Sequence, residues 1–490
     1  MIAALLLVPA VAGVIALALR GDRVRRALLL ATAFAHLALV AAAWRWSPPA
    51  SPATWLRLDP IGLVFLSVTS VLFAVAAVYA VGYLAREAHT LRADIEEGAL
   101  FSNGPEALFT GCLLFFLATM TLVTVSQNLG VLWVAVEATT LASAPLIFFH
   151  RHHRSLEATW KYLLICSVGI AVALLGNFFL AFAASFGPAG SGSLVLHELI
   201  AGAPALHARW LKAAFVLLLV GYGTKMGLAP LHTWLPDAHA EAPSVVSSLL
   251  SGALLNCAFL GILRAFQVVS AAGLGRFAGD LLIDIGLFSM MLAAVFMVAQ
   301  PDFKRLLAYS SVEHMGILAV GIGLGGGAAF GALLHAVNHS FAKGMLFLLA
   351  GNILAAYRSK SAATVRGVGA SLPVTGALWV AGLLAITGSP PFGPFLSELL
   401  IVKAAVDGGH GVVTALFLLL LAAAFVGMAR PMLTMVQGEP LPERAPSARD
   451  SWTALAPPAA LGTAVLLLGV WVPPWLEDAL RAAARLVGGV

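Results

Sequence analysis

The chain has 490 residues, of which 60% are hydrophobic and only 10% are charged, and its mean hydropathy is +0.95. Soluble domains carry about 25% charged residues, so this composition excludes a soluble globular protein and predicts one polytopic membrane unit. Membrane topology is sufficient to explain the net charge of +5, and we expect no nucleic-acid partner.

Apolar runs of about 20 residues, the length of a membrane-spanning helix, occur about fourteen times. They predict an all-α polytopic membrane protein. The first run is followed, not preceded, by its basic residues, which is typical of a retained span and not of a signal peptide. In chain order the predicted spans are Ile2–Leu19, Ala27–Trp46, Ile61–Leu84, Leu108–Val125, Leu129–Phe149, Trp160–Phe186, Leu211–Pro230, Val245–Phe266, Leu281–Val298, Arg305–Ile322, Phe330–Tyr357, Pro373–Val406, Val412–Met435 and Trp452–Trp471.

Two of these spans contain helix-breaking residues. Pro230 and Pro236 interrupt the seventh span, and Pro390 and Pro391 interrupt the twelfth. Unwound backbone at membrane depth is tolerated only where protein buries it or where it lines a water-filled cavity. Paired interruptions therefore indicate an internal repeat that holds a transport site.

The predicted repeat has five spans in each copy, with the break in the fourth. Because five is an odd number, the second copy is expected to have inverted topology. The predicted organisation is three N-terminal spans in residues 1–107, the first repeat in 108–268, the second in 279–437, and a loop with the last span in 438–490.

The positions of lysine and arginine predict the orientation. If the N-terminus is outside, the inside segments hold 17 of the 28 and the outside segments hold 8. The positive-inside rule then places both termini outside the cytoplasm, in the inner (cytoplasmic) membrane. All arginines are expected in loops or at helix ends, whereas Lys225, Lys343 and Lys403 lie within spans. Lysine, unlike arginine, can lose its proton when it is desolvated.

Glu137 is the only charged residue between Leu129 and Phe149. A carboxylate at mid-membrane is costly unless it is paired, and Lys225 in the broken seventh span is the expected partner. A glutamate and a lysine that separate and re-form their pair can load and release a proton. The plainer alternative is a structural ion pair that holds two helices together.

A second group of ionisable residues lies in the second repeat. His335, His339 and Lys343 are spaced i, i+4, i+8 and therefore share one helix face. Histidine suits a proton relay because its ordinary pKa is near neutral. The candidate relay residues of the whole chain are Glu137, Lys225, His232, His314, His335, His339, Lys343, Glu398 and Lys403, with Glu313 beside them.

Bound cofactors and metals are not expected. The three cysteines lie in apolar runs without a partner at metal-ligand spacing, and no compact group of His and Asp residues is visible in the sequence. Nucleotide-binding motifs are also missing from the sequence. We therefore predict no metal site and no catalytic residue in this chain.

Several runs resemble the proton-translocating antiporter-like family of membrane subunits. Besides the Glu137 span, they are GYGTKMGLAPLHTWLPDAHAEAP at 221–243, AYSSVEHMG at 308–316, NHSFAKGMLF at 338–347 and SPPFGPFLSE at 389–398. The family includes the large membrane-arm subunits of respiratory complex I, subunits of Mrp-type antiporters and membrane subunits of group 4 nickel–iron hydrogenases. The resemblance covers about residues 60 to 435 and is greatest to the hydrogenase-4 and formate hydrogenlyase type.

The resemblance implies roles for individual residues. Glu137 matches the family's fifth-helix glutamate, and Lys225 matches the broken-helix lysine that the glutamate modulates. His339 and Lys343 match relay positions in the eleventh helix, and Glu398 matches the twelfth-helix acid near the exit.

One position departs from the family pattern. Asn256 stands in the eighth span where many relatives have a lysine or histidine. An amide can orient water but cannot hold a proton at neutral pH, so the central connection is expected to run through water or through His339 and Lys343.

The expected function is that of a proton-translocating membrane subunit of a multisubunit oxidoreductase, with electron transfer in partner subunits. The expected partners are other membrane and peripheral subunits, protons, with sodium ions left open, and the lipid bilayer. Two alternatives remain: a transporter subunit, either of an Mrp-type sodium/proton antiporter or of a proton-coupled inorganic-carbon transporter, and a non-conducting membrane scaffold.

Overall fold

The computed structural model describes residues 1–46, 55–87, 92–93, 98, 100–186, 192–439 and 449–488. A small antiparallel hairpin pairs β1 (Arg92–Ala93) with β2 (Leu100–Phe101). The helices of these residues are α1 (Ile2–Ala18), α2 (Asp22–Arg45), α3 (Pro60–Arg86), α4 (Glu106–Val125), α5 (Leu129–Ile147), α6 (His153–Ser185), α7 (Leu196–Ala201), α8 (Ala208–Met226), α9 (Trp234–Glu241), α10 (Ser244–Leu249), α11 (Leu255–Val269), α12 (Gly275–Val298), α13 (Phe303–Leu324), α14 (Gly326–Tyr357), α15 (Val368–Ser371), α16 (Pro373–Ile386), α17 (Gly393–Asp407), α18 (Gly411–Val436), α19 (Trp452–Val470) and α20 (Pro474–Leu486).

The all-α polytopic fold is confirmed, and each predicted span coincides with one or two of these helices. Ten helical stretches in the described part of the chain are long and apolar enough to cross a bilayer. One of them, Ser244–Val298, holds two predicted spans, because Gly273 has a φ of 76° and bends the chain between α11 and α12. The short helix α1 and the two broken spans complete the predicted fourteen. Most of the loop predicted after residue 438 lies outside the described residues.

Both predicted helix breaks are present, in the fourth span of each five-span group. The seventh span is divided into α8 and α9, with Pro230 in the unwound segment between them. Pro236 lies inside α9, in its first turn, where its missing N–H costs nothing. Pro390 and Pro391 lie in the unwound segment between α16 and α17.

Helix α14 forms the centre of the second repeat. Every residue from 331 to 350 is buried, and α14 packs against α3, α10, α13, α16, α17, α19 and α20. A helix that is buried all round keeps its polar side chains in contact with protein and away from lipid. The ionisable residues of α14 therefore face neighbouring helices.

The last helix, α20, is amphipathic and was not predicted from the sequence as a separate element. Leu476, Leu480, Ala483 and Ala484 are buried on one face, and α20 packs on α3 and α14. Arg481 on the other face forms an exposed ion pair with Glu477. This pattern is typical of a helix that lies along a surface.

One of the arginines predicted at loops or helix ends is buried and paired with an acid. Arg264 lies within α11 with 1% of its side chain exposed, and its two terminal nitrogens donate to Asp59 at 2.5 and 2.7 Å. Asp59 also accepts from the backbone N–H of Gly62 and so caps α3. This buried pair connects the N-terminal helices to the first repeat, and proximity in sequence could not reveal it because its members are 205 positions apart.

Replacing Arg264 by leucine should destabilise the protein by about 3–5 kcal/mol, because Asp59 would keep a buried and unpaired charge. Thermal unfolding in mild detergent measures this loss through labelling of the buried cysteines, Cys112, Cys166 and Cys257. The double variant Asp59→Leu/Arg264→Leu should recover part of the lost stability.

The matched control is Arg481→Leu, which removes an exposed ion pair with Glu477. Its effect should stay within about 1 kcal/mol. If Arg264→Leu unfolds at the wild-type temperature, the buried pair does not hold the N-terminal helices in place.

Candidate functional site

Glu137 on α5 and Lys225 at the end of α8 are connected through a hydroxyl group. Lys225 Nζ donates to Thr140 Oγ1 at 2.9 Å and to the Tyr162 hydroxyl at 2.6 Å. The Thr140 hydroxyl in turn lies 3.4 Å from Glu137 Oε2, and Ser167 donates to Glu137 Oε1 at 2.7 Å. The predicted partnership therefore takes an indirect form, in which Thr140 stands between the acid and the base.

The surroundings of Lys225 explain how its ammonium group is accommodated. The side chain is fully buried, and its Nζ lies 4.3 Å from the centre of the Tyr162 ring and 5.7 Å from that of Trp234. Aromatic faces attract a cation. A hydroxyl that accepts from lysine and donates to a carboxylate can also pass a proton between them.

The break after Lys225 leaves backbone groups that the protein satisfies internally. Gly227, with a φ of 87°, ends α8 in the left-handed conformation. The indole N–H of Trp234 donates to the carbonyl of Thr224 at 2.8 Å, and the N–H of Ala229 donates to Ser289 on α12 at 2.9 Å. The unwound segment is thus held by protein contacts, as membrane depth requires.

Polar contacts join the first repeat to α14. Asn256 on α11 donates to Ser340 at 2.7 Å and to the carbonyl of Gly252 at 3.0 Å. One helical turn along α14, Lys343 donates to the carbonyl of Leu307 at 2.7 Å and to the hydroxyl of Ser310. The fully buried Lys343 is therefore satisfied by neutral oxygens of α13.

The second group of relay candidates forms a compact cluster. His314 Nδ1 on α13 lies 2.8 Å from His335 Nε2 on α14, and His335 Nδ1 lies 2.9 Å from Ser397 Oγ on α17. His339 is buried one turn from His335, and its ring centre is 5.1 Å from that of His314. Both nitrogens of His339 lack a hydrogen-bond partner in the described structure. The three histidines form a continuous buried contact.

Glu398 on α17 completes this cluster. One nitrogen from each of His314 and His335 and one carboxylate oxygen of Glu398 lie within 4.8 Å of one another. The fold therefore brings together three ligand-type side chains, although no compact group of His and Asp residues is visible in the sequence. These side chains come from three helices up to 84 positions apart, so no local spacing could reveal them.

The break in the twelfth span brings its backbone against Glu398. Gly388 has a φ of 64°, and a Cβ atom added there would lie 2.0 Å from Glu398 Oε2. The carboxylate thus fills the space where any other residue at 388 would place its side chain. Glu398 is buried and points to the unwound segment, as Lys225 stands at the break in the first repeat.

Two predicted relay residues lie apart from these groups. His232 is buried in the unwound segment between α8 and α9, with its ring 6.2 Å from that of Tyr309. Lys403 was expected within the twelfth span, but its side chain is 69% exposed and pairs with Asp407 one turn further on α17. Lys403 lies in the last turns of α17, and its exposed side chain does not join the buried cluster.

Sequence reasoning missed several polar groups that are buried or half-buried. Thr140, Tyr162 and Ser167 were not proposed as relay residues, although the spacing of Thr140 three positions after Glu137 predicts that they share a helix face. Lys304, which was counted as a loop cation, is buried and donates to the carbonyls of Ala240 and Ala242 at 3.0 and 2.6 Å.

A further buried ion pair and a histidine also escaped the sequence analysis. Lys360 pairs with Glu241 at 2.8 Å at the end of α9. His239 stacks on Phe347 with both ring nitrogens unpartnered among the described residues. Residue type alone gives no signal for these contacts.

Comparison with known proteins identifies the class. Residues 126–424 match the family described as NADH:quinone oxidoreductase/Mrp antiporter, transmembrane. The chain belongs to this family. It is 36% identical over 413 residues to a hydrogenase-4 component F homolog of Methylacidiphilum infernorum (isolate V4), covering 82% of this chain and 85% of that protein.

Solved structures show the same fold. One is a chain of the membrane-bound sulfane sulfur reductase, an archaeal respiratory membrane complex, with a TM-score of 0.87, 20% identity and coverage of 100% and 98% of the two chains. Another is a chain of the Mrp complex from Dietzia sp. DQ12-45-1b, with a TM-score of 0.84, 21% identity and coverage of 99% and 97%.

Replacing Gly388 by alanine should force the Glu398 carboxylate away from the unwound segment. Gly409→Ala is a matched control, because Gly409 also has a positive φ, of 74°, but open space around it. Both variants strain the backbone, and we expect Gly388→Ala to cost about 1–3 kcal/mol more in thermal stability because of the collision.

A second substitution identifies the colliding group. In a Gly388→Ala/Glu398→Ala protein, the excess loss over Gly409→Ala should disappear, since the carboxylate is no longer there. An excess loss that persists would place the collision elsewhere.

Proposed function

We propose that this chain carries protons across the inner (cytoplasmic) membrane as a subunit of a multisubunit oxidoreductase of the hydrogenase-4 type, with both of its termini outside the cytoplasm. Electron transfer belongs to partner subunits, and this chain supplies the proton path. Its membership of the family and its 36% identity to a hydrogenase-4 component F homolog support this assignment.

The observation that carries the proposal is the connection from half-buried Glu137 through buried Thr140 to buried Lys225. Lys225 contacts the hydroxyl groups of Thr140 and Tyr162 and no carboxylate directly. A small movement of Glu137 towards or away from Lys225 therefore changes how strongly the lysine binds its proton. When Glu137 approaches, the charged lysine is favoured, and when it withdraws, the proton is released. The pair is thus suited to load and discharge a proton.

The second repeat supplies the onward path. Asn256 and Ser340 connect the repeats, and Lys343 and the histidine cluster lead along α14 to Glu398. Neutral imidazole both accepts and donates a proton, as a relay requires. Because Asn256 cannot hold a proton at neutral pH, the proton passes from Lys225 to the second repeat through water or through His339 and Lys343.

Lys225→Met should leave the complex assembled and reduce proton movement by about tenfold or more, a change that corresponds to 1.4 kcal/mol or more. Purified complex in liposomes with a pH-sensitive dye measures the proton flux per electron transferred, and a native gel reports assembly. Wild-type coupling in Lys225→Met would exclude this lysine from the path. Lost assembly with unchanged flux in the remaining complex would favour a scaffold.

Thr140→Val tests the hydroxyl between the acid and the base. It keeps the shape of the side chain and removes the group that touches both Lys225 and Glu137, so proton flux should fall by about threefold to tenfold while electron transfer in the partner subunits continues. Thr139→Val is the matched control, because the Thr139 hydroxyl donates only to the carbonyl of Val136. Equal effects of the two variants would contradict the bridging role.

An Mrp-type antiporter subunit is the second candidate, because the family description includes these proteins and the Mrp chain shares the fold. Purification in mild detergent separates the two. A nickel–iron hydrogenase large subunit and ferredoxin-like subunits should co-purify with this chain. Small Mrp subunits in their place would transfer the assignment to an antiporter.

A further inference from the structure

We propose that His314, His335 and Glu398 form a binding site for a divalent transition-metal ion of the zinc class. Each residue comes from a different helix of the second repeat: α13, α14 and α17. Their three ligand atoms lie within 4.8 Å of one another, and all three side chains are buried.

The separations suit a small metal ion after slight adjustment. Zinc lies about 2.0–2.2 Å from imidazole nitrogen and carboxylate oxygen in tetrahedral sites, which requires donor atoms that converge from different directions. His314 Nδ1 and His335 Nε2 are already 2.8 Å apart. Small rotations of the two rings would open space for the ion between them and the carboxylate.

Hydrogen bonding prepares His335 as a ligand. Ser397 Oγ lies 2.9 Å from the carbonyl of Pro394 and donates to it, so Ser397 accepts from His335 Nδ1. His335 Nε2 then carries the lone pair that faces His314. A ligating histidine whose other nitrogen donates to a fixed oxygen is the usual arrangement in metal sites.

Unpartnered atoms supply an independent observation. Glu398 Oε1 is buried without a hydrogen-bond partner in the described structure, and so are both nitrogens of the adjacent His339. Buried polar atoms are normally satisfied. A cation coordinated by Glu398 would satisfy the carboxylate, and His339 or a water molecule could take the fourth position.

The donor set favours one class of ion. Two imidazoles and a carboxylate without a thiolate suit Zn²⁺, Ni²⁺, Co²⁺ or Cu²⁺. Hard cations such as Ca²⁺ and Mg²⁺ prefer oxygen ligands. We expect the ion to approach through the unwound segment, because Pro390 and Pro391 lie at the surface of this chain and Gly388 touches the Glu398 carboxylate.

A bound ion would have a consequence for the proposed function, on which this step rests. Imidazole nitrogens that coordinate a metal cannot accept a proton, and the added positive charge repels protons nearby. Zinc at this site would therefore close the path between Lys343 and Glu398. The site would make proton movement sensitive to zinc.

Metal binding is measured first, without reference to proton movement. Chelator-treated, detergent-purified complex is dialysed against Zn²⁺, and bound metal is counted by mass spectrometry. Co²⁺ replaces Zn²⁺ for visible absorption spectra. After dialysis, we expect the complex to hold one more zinc ion for each copy of this chain than the chelator-treated complex did. With Co²⁺, we expect the intense absorption bands of a four-coordinate site with nitrogen ligands.

The variants His335→Gln and Glu398→Gln should each lose this ion and its Co²⁺ bands. His239→Gln is the matched control, because His239 is also fully buried but belongs to no such group of ligand-type side chains among the described residues. It should keep the ion. Binding that is absent in the wild-type complex, or that is equal in all three variants, would overturn the site.

Proton flux in liposomes then tests the consequence. Zn²⁺ should reduce flux at least tenfold in the wild-type complex and in His239→Gln at the concentration that fills the site. If the ion binds but flux does not change, the inhibitory role is overturned and the metal site stands. Wild-type flux in Lys225→Met would overturn the proposed function while leaving the binding result valid.

Discussion

The structure depends on the cost of placing an ionisable side chain in the membrane interior. Lys225 and Lys343 are fully buried, and each directs its ammonium group to neutral oxygens rather than to a carboxylate. Such a group can be held only where helices converge to supply hydroxyl or carbonyl oxygens. The packing of α14 among seven other helices is one result of this requirement.

The same requirement explains the positions of the helix breaks. An unwound segment exposes N–H and C=O groups. At the first break these groups are satisfied by Trp234 and by Ser289 of α12. In the second repeat, the unwound segment lies against Glu398. Each break places an ionisable residue next to backbone that is free of helical hydrogen bonding. The two repeats therefore build related sites, a lysine in one and a carboxylate in the other.

Much of the fold could be predicted from the sequence, because a helix in lipid must be about 20 apolar residues long. All fourteen spans and both breaks follow from this rule and from the prolines. The rule does not detect amphipathic α20, whose polar face carries Arg481, because such a helix lies along a surface. It also does not reveal that Arg264, near the end of its span, is buried, since the compensating Asp59 is distant in the sequence.

The candidate site was predictable only as a set of residue types. Glu137, Lys225, His335, His339, Lys343 and Glu398 stand out because ionisable residues are rare in apolar runs. Lys403 also lies in an apolar run, yet its side chain is exposed and paired with Asp407. The position of a charge in an apolar run does not show whether its side chain faces a neighbouring helix or the surface.

The sequence by itself determined that this is a polytopic membrane protein, where its helices break and which residue types carry charge into its spans, because these properties depend on local composition. Only the tertiary structure decided that Thr140 stands between Glu137 and Lys225 and that His314, His335 and Glu398 meet. Those contacts join helices that are distant in the chain, and their geometry depends on how the helices pack against one another.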